Sequence, residues 1–241
     1  MTRLHTHAQH FLRSTRLVAE LIGHSNIRKN DTVYDLGAGS GVITSVLARR
    51  CRQVYAVEIE PAALKSLQAN VGNSENVTIV KQDIEKLAIV TMPYKIFANI
   101  PFNLSAAIVR KFTETNSPPK TMYLIVQKQF ARKLVPGDDH FTSELGAQLG
   151  PWFSVRIRKP LRKTDFTPPP AVDTVLLEIK LRDEPLLDRE EAHIYRDFVS
   201  HCFRRQTYFA QTPRSKANIS AELRPSQLSL EQWCELFTHF D

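Results

Sequence analysis

The sequence predicts an α/β fold: a doubly wound, mostly parallel sheet followed by a small all-helical segment. Three observations carry that expectation. From residue 15 to about 115, short β-rich runs alternate with helical stretches through brief loops. A glycine-rich turn, DLGAGSG (35–41), separates the first of these strands from its helix. From Asp188 onward the apolar spacing is helical only.

The elements follow in order. TRLVAELIG (15–23) sets Leu17, Val18, Leu21 and Ile22 at helical spacing, with Ser14 or Thr15 as N-cap and Gly23 as a stop. TVYDLG (32–37) is a β-rich run cut off by glycines, and GVITSVLARR (41–50) returns to helical spacing with two arginines at its end. QVYAVEIE (53–60) reads as the second strand, and PAALKSLQAN (61–70) as a helix with Pro61 at its first position. NVTIVKQD (76–83) and KIFANI (95–100) are the third and fourth strands, LSAAIVRKF (104–112) a helix and KTMYLIVQK (120–128) the fifth strand. SVRIRK (154–159) and DTVLLEIKL (173–181), with a Pro-rich DFTPPPAV between them, suggest an antiparallel pair closing one sheet edge.

Beyond that edge, Ile194, Phe198, Val199 and Cys202 are expected on one face of a helix capped by Asp188. Ser229 and Gln232 form a capping box ahead of Trp233, Leu236, Phe237 and Phe240. The expected division is therefore 1–182 for the sheet domain and 183–241 for a small helical domain.

Composition narrows the function classes. With 42% hydrophobic and 24% charged residues, the chain is ordinary for a globular protein. No apolar run approaches the ~20 residues of a membrane span, and MTRLHTHAQHF has no apolar core of a secretory signal. Cys51, Cys202 and Cys234 are isolated from one another, which argues against zinc and against a disulfide framework. A cytoplasmic monomer without metal is the expectation. A net charge of +7 suits a polyanionic partner. Arg156, Arg158, Lys159, Arg162 and Lys163 fall within eight residues, either as a solvated strand face or as an RNA patch.

The chemistry-bearing residues stand at strand ends. Gly37, Gly39 and Gly41 form a G-x-G-x-G turn where a ligand can approach the backbone beside a helix N-terminus. Glu58 ends the second strand, where an acid can accept ribose hydroxyls, with Ile59 next to it. Asp83 ends the third strand, placed to accept from an adenine amino group, with Ile84 beside the ring. Ligands of open α/β sheets bind at the C-terminal strand edge, so these acids in succession point to a nucleoside-bearing ligand. Asn99, Ile100, Pro101 and Phe102 end the fourth strand at that same edge.

The stretch N-I-P-F resembles the [N/D/S]-[I/L/P]-P-[Y/F/W] motif of amino-group methyltransferases. The chain as a whole resembles the rRNA adenine N6-(di)methyltransferases, the Erm and KsgA group. AQHFL (8–12) is similar to that family's Q-N-F-L stretch, which implies cofactor contacts from Gln9, His10 and Leu12. DLGAGSG, VEIE and QDI match its cofactor motifs in order. DFTPPPAVDTVLLEI (165–179) resembles its F-x-P-x-P-x-V-[DN]-S stretch, and YLIVQKQFARKL (123–134) its segment after strand five.

NIPF, the length and the closing LSLEQWCELFTHF favour the Erm macrolide-resistance branch. The resemblance implies a Rossmann-like, seven-stranded S-adenosylmethionine-dependent methyltransferase that modifies an adenine of large-subunit rRNA. The target base would be flipped out or single-stranded. Asn99 and the Ile100 carbonyl would accept the protons of the target amine, Phe102 would stack on the base, and Phe166 would lie near it. A core plug is the other reading of Phe166. No residue is assigned as a general base. Phe102 stands where Tyr is commoner and His10 where Asn is usual, which leaves Gln9 as the firmer cofactor contact. A KsgA-like small-subunit enzyme is the alternative within the family, and a non-catalytic RNA-binding assembly factor the alternative outside it. A dehydrogenase is disfavoured by G-x-G-x-G and by Asn99-Ile-Pro.

Overall fold

A computed structural model describes residues 10–136 and 143–240. Its strands are β1 (Phe11–Leu12), β2 (Thr32–Leu36), β3 (Gln53–Glu58), β4 (Val77–Lys81), β5 (Lys95–Asn99), β6 (Thr121–Gln127), β7 (Phe153–Leu161), β8 (Phe166–Thr167) and β9 (Thr174–Leu181). Its helices are α1 (Thr15–Gly23), α2 (Val42–Ala48), α3 (Pro61–Val71), α4 (Ser105–Thr113), α5 (Lys128–Leu134), α6 (Glu144–Leu149), α7 (Ala192–Arg204), α8 (Gln206–Gln211) and α9 (Leu230–Thr238). Among the described residues, no helix is long and apolar enough to cross a membrane.

Seven strands form one sheet in the order β4-β3-β2-β5-β6-β9-β7. The β4–β3, β3–β2, β2–β5 and β5–β6 pairings are all parallel. Strand order reverses between β2 and β5, and in such sheets the ligand crevice opens beyond that switch point. The two late strands lie side by side at the far edge, with β7 outermost. A separate two-stranded antiparallel ribbon joins β1 to β8, pairing Phe11 with Thr167 and Leu12 with Phe166.

Among the described residues, 10–128 and 157–179 form one compact unit; 129–136, 143–156 and 180–240 form the other. The first has its core around Val18, Leu21 and Ile22 of α1, Ile43 and Leu47 of α2, and Phe97, Tyr123 and Leu176 of the sheet. Ser14 starts α1 by accepting from the Leu17 amide, and Pro61 opens α3 with its fixed φ.

The second unit corrects the expected break at residue 183, because 129–156 groups with the C-terminal helices. The cause is side-chain bonding from the α6 region. The Gln148 Nε2 amide donates to Arg196 O at 3.0 Å and Ser200 Oγ at 3.1 Å, and the Tyr195 hydroxyl donates to Ala147 O at 3.1 Å. The buried face of α7 is Tyr195, Phe198, Val199 and Cys202, whereas Ile194 is 50% exposed. Ile194 is thus one position off the apolar stripe. Asp188 does not cap this helix; it accepts from the Glu190 amide, and the helix begins after Glu191. The Ser229–Gln232 capping box forms as expected, and Trp233 is fully buried.

Candidate active site

The glycine turn after β2 owes its shape to three positive φ angles: +70° at Gly37, +57° at Gly39 and +88° at Gly41. Side-chain-bearing residues rarely adopt these, so glycine is required. The Gly37 and Ala38 amides donate to Val57 O at 2.8 and 3.0 Å, fastening the turn to β3. The Glu58 carboxylate fastens it again. Its Oε2 accepts from the Gly39 amide at 2.8 Å, and its Oε1 accepts from the Ile59 and Glu60 amides at 2.8 and 2.9 Å. An ionised carboxylate has about four lone-pair directions, so three such bonds leave room for one ligand hydroxyl. The two acceptor oxygens of one side chain therefore hold both walls of a crevice in place.

Beneath the turn lies Asp35, fully buried. Its Oδ2 accepts from the Thr44 hydroxyl at 2.6 Å, while Oδ1 has no partner among the described residues. Burial drives this carboxyl up to about 7, the Thr44 hydroxyl opposes the rise, and the nearby Glu58 adds to it. Asp83 follows β4 and caps the next turn, its Oδ1 accepting from the Glu85 amide at 2.9 Å.

On the β5 side, Asn99 is oriented by a distant segment. Its Nδ2 donates to the His10 carbonyl at 2.6 Å, which turns Oδ1 away as an available acceptor. The His10 ring lies 5.5 Å from the Phe102 ring, tilted by 31°, and its Nδ1 is 2.8 Å from Pro168 O. These groups enclose a cavity of about 450 Å³. His10, Leu12, Gly37, Gly39, Glu58, Ile59, Asp83, Ile84, Asn99, Ile100 and Phe102 all line it. Gly41 stands behind the wall, where a Cβ would meet Leu67 Cδ1 at 2.7 Å.

Residues 3–232 match the family described as "Ribosomal RNA adenine dimethylase". The chain belongs to that family. It is an rRNA adenine methyltransferase, with relatives on both of the family's branches. An rRNA adenine N-6-methyltransferase of Staphylococcus aureus (strain Mu50) is 32% identical over 96% of this chain and 95% of its own. The ribosomal RNA small subunit methyltransferase A of Latilactobacillus sakei is 28% identical over 95% and 86%. The crystal structure of the 23S rRNA methyltransferase ErmE superposes with a TM-score of 0.82 at 27% identity, covering 96% of this chain and 99% of that one.

Not every expected position of the methyltransferase falls at the cavity. Gln9 lies outside the described residues. Phe166 is fully buried and belongs to the core with Leu12, Val18 and Leu161, so the core plug replaces the base-side reading. Its pairing to β1 through Leu12 explains the inward turn. The basic run is laced with acids. Arg158 faces Glu178 at 3.9 Å, Lys159 pairs with Glu20, and Arg162 pairs with Asp165 at 3.2 Å. Lys163 donates to Ala171 O at 2.7 Å, and Arg156 is exposed but also has a partner. Arg162, 82% exposed at its side chain, presents the most open charge of the paired members.

Sequence reading missed Phe11. It is 43% exposed, lines the cavity, and its ring edge would lie 3.1 Å from a Cβ at Gly39. Only its place between His10 and Leu12 signals the role.

Proposed function

We propose that this methyltransferase transfers a methyl group from S-adenosylmethionine to N6 of one adenine in large-subunit rRNA, as an Erm-type enzyme whose product confers macrolide, lincosamide and streptogramin B resistance. One observation carries the chemistry: the cavity that holds Glu58 and Asp83 also holds Asn99, with its amide oxygen turned outward. The higher identity to the Staphylococcus aureus relative, 32% against 28% for the Latilactobacillus enzyme, and the superposition on ErmE support the branch.

The residues fit the cofactor. The cavity volume falls within the about 300–1,000 Å³ of small-molecule sites. Ile59, 55% exposed, and Ile84 offer apolar walls for an adenine, and Asp83 keeps one oxygen for its amino group. Glu58 has acceptor capacity for a ribose hydroxyl, and a Cβ at Gly37 would find nothing closer than 3.7 Å, so the backbone lies open to the ligand. When bound, the cofactor supplies an electrophilic methyl on a sulfonium.

The chain's own groups prepare the nucleophile. An adenine amine is weak because its lone pair is delocalised into the ring. Asn99 Oδ1 and the Ile100 carbonyl accept its two N–H groups and draw the nitrogen toward tetrahedral geometry, which frees the lone pair for in-line attack. Phe102 stacks on the extruded base, a contact worth about 1–3 kcal/mol.

The test is expression in a macrolide-sensitive host, with methylated adenines mapped by primer extension on both rRNAs. Large-subunit modification with resistance is the expected result. Modification confined to the small-subunit rRNA would instead place the chain with the Latilactobacillus relative's branch and refute the resistance reading.

A further inference from the structure

The glycine turn is tied to the rest of its unit on two sides. Its first half is fastened to β3, through the Gly37 and Ala38 amides on Val57 O and the Gly39 amide on Glu58. Its second half leans on α3. The Asn70 side chain donates from Nδ2 to the Ser40 carbonyl at 2.9 Å, from 30 residues further along the chain. Leu67 and Val71 stand behind Gly41, where a Cβ would meet them at 2.7 and 3.4 Å. Leu67, Asn70 and Val71 share one face of the helix, as their spacing of three and four dictates.

Asn70 itself is exposed and is absent from the lining of the cofactor cavity. It lines a separate cavity of about 430 Å³ between α2 and α3. Ser40 does line the cofactor cavity, and its amide has no partner among the described residues. The peptide that joins Ser40 to Gly41 is held at both of its polar groups. Asn70 holds the carbonyl and Ala38 O accepts from the Gly41 amide, each at 2.9 Å.

We propose that Asn70 is a positioning residue for S-adenosylmethionine, holding the Ser40–Gly41 peptide in the orientation that binds the cofactor. This deepens the methyl-transfer reading and rests on it. A peptide that precedes glycine rotates with little resistance, because no Cβ stands in its way. Without the Asn70 bond the turn is competent only part of the time, and affinity falls by that fraction. The Asn99 end of the site is untouched, so binding weakens while the chemical step does not. S-adenosylmethionine and its demethylated product differ only in the methyl group, so both weaken equally.

Three variants and two readouts test it. By calorimetry, Asn70→Ala should bind S-adenosylmethionine and its demethylated product each about three- to tenfold more weakly, as one net hydrogen bond implies. Single-turnover transfer to an rRNA fragment at saturating cofactor should stay within about twofold. Asn70→Asp keeps the shape but sets an acceptor against the Ser40 carbonyl, and should weaken binding at least as much. Asn70→Gln restores an amide and should recover part of the affinity. The second readout needs no ligand. Hydrogen exchange at the Gly41 amide of the free protein should quicken about three- to tenfold in Asn70→Ala, with the β2 and β3 amides unchanged. Ala favours a helix over Asn, so the urea midpoint should hold.

Wild-type affinity in Asn70→Ala or Asn70→Asp overturns the proposal alone, as does a Gly41 exchange rate that Asn70→Ala leaves unchanged. Exchange quickened equally in β2 and β3 would make the damage general, and a fall in the saturated rate would place it in the chemical step; either result also overturns it. A wild type that binds no S-adenosylmethionine overturns the methyl-transfer reading and the proposal with it.

Discussion

Asp35 is the site's most exacting prediction. Its carboxyl is fully buried, with Oδ2 bonded to Thr44 and Oδ1 without a partner among the described residues. Burial raises it from 3.8 to about 7 in the folded chain. The folded state thus binds the proton more tightly than the unfolded state does, and stability falls as pH rises through this window. The rise spans about three pH units at about 1.4 kcal/mol each, which gives a total near 4 kcal/mol. About 1 kcal/mol of that is already lost by pH 4.5, so about 3 kcal/mol should disappear between pH 4.5 and pH 8. Asp35→Asn keeps the shape and removes the titration. Urea unfolding of both proteins across that range should show the variant gaining about 3 kcal/mol on the wild type as pH rises. Parallel curves for the two proteins would refute the reasoning, because the buried charge would then carry no cost.

Other outcomes follow from the same geometry. Asn99→Ala should lower single-turnover transfer at least about 100-fold while calorimetry still detects the cofactor; unchanged turnover would remove the amide clamp. Phe102→Tyr should remain active, whereas Phe102→Ala should lose about 1–3 kcal/mol of stacking, read as a drop in kcat/KM of about 5- to 150-fold. Gly41→Ala should destabilise more than Gly37→Ala. Both take a left-handed backbone costing about 1–2 kcal/mol, but only Gly41 also meets Leu67, at 2.7 Å. Urea midpoints of the pair would show it, and equal losses would discount the contact. Arg162→Ala should reduce the slope of log affinity against log salt for rRNA by about 1, and an unchanged slope would remove that residue from the RNA contact.

That Gly37, Gly39, Glu58 and Asp83 line one cavity was legible in sequence because its signals are local. Glycines at positive φ and acids at successive strand ends declare themselves within a few letters, and the strand order brings them to one edge. Asn99 was legible by motif, but the reason for its orientation was not, since the His10 carbonyl comes from 89 residues away in the chain. Phe166 failed for a related cause: its ring direction follows from pairing with β1, which no periodicity encodes. The 129–156 segment joined the helical unit through Gln148 and Tyr195, contacts that span about fifty residues. On α7 the stripe was read one position early, and the aromatic Tyr195 rather than Ile194 filled the interior.

Glu58 has a consequence for how the site acquires its ligand. Its Oε2 holds the glycine turn through the Gly39 amide and its Oε1 holds the turn after β3 through the Ile59 and Glu60 amides, so both sides of the cradle are in place before anything binds. Association then orders little backbone, so the entropic penalty falls mainly on the ligand. A crevice of this kind should bind cofactor and demethylated product in one geometry, and should release the latter by losing a charge rather than by changing shape.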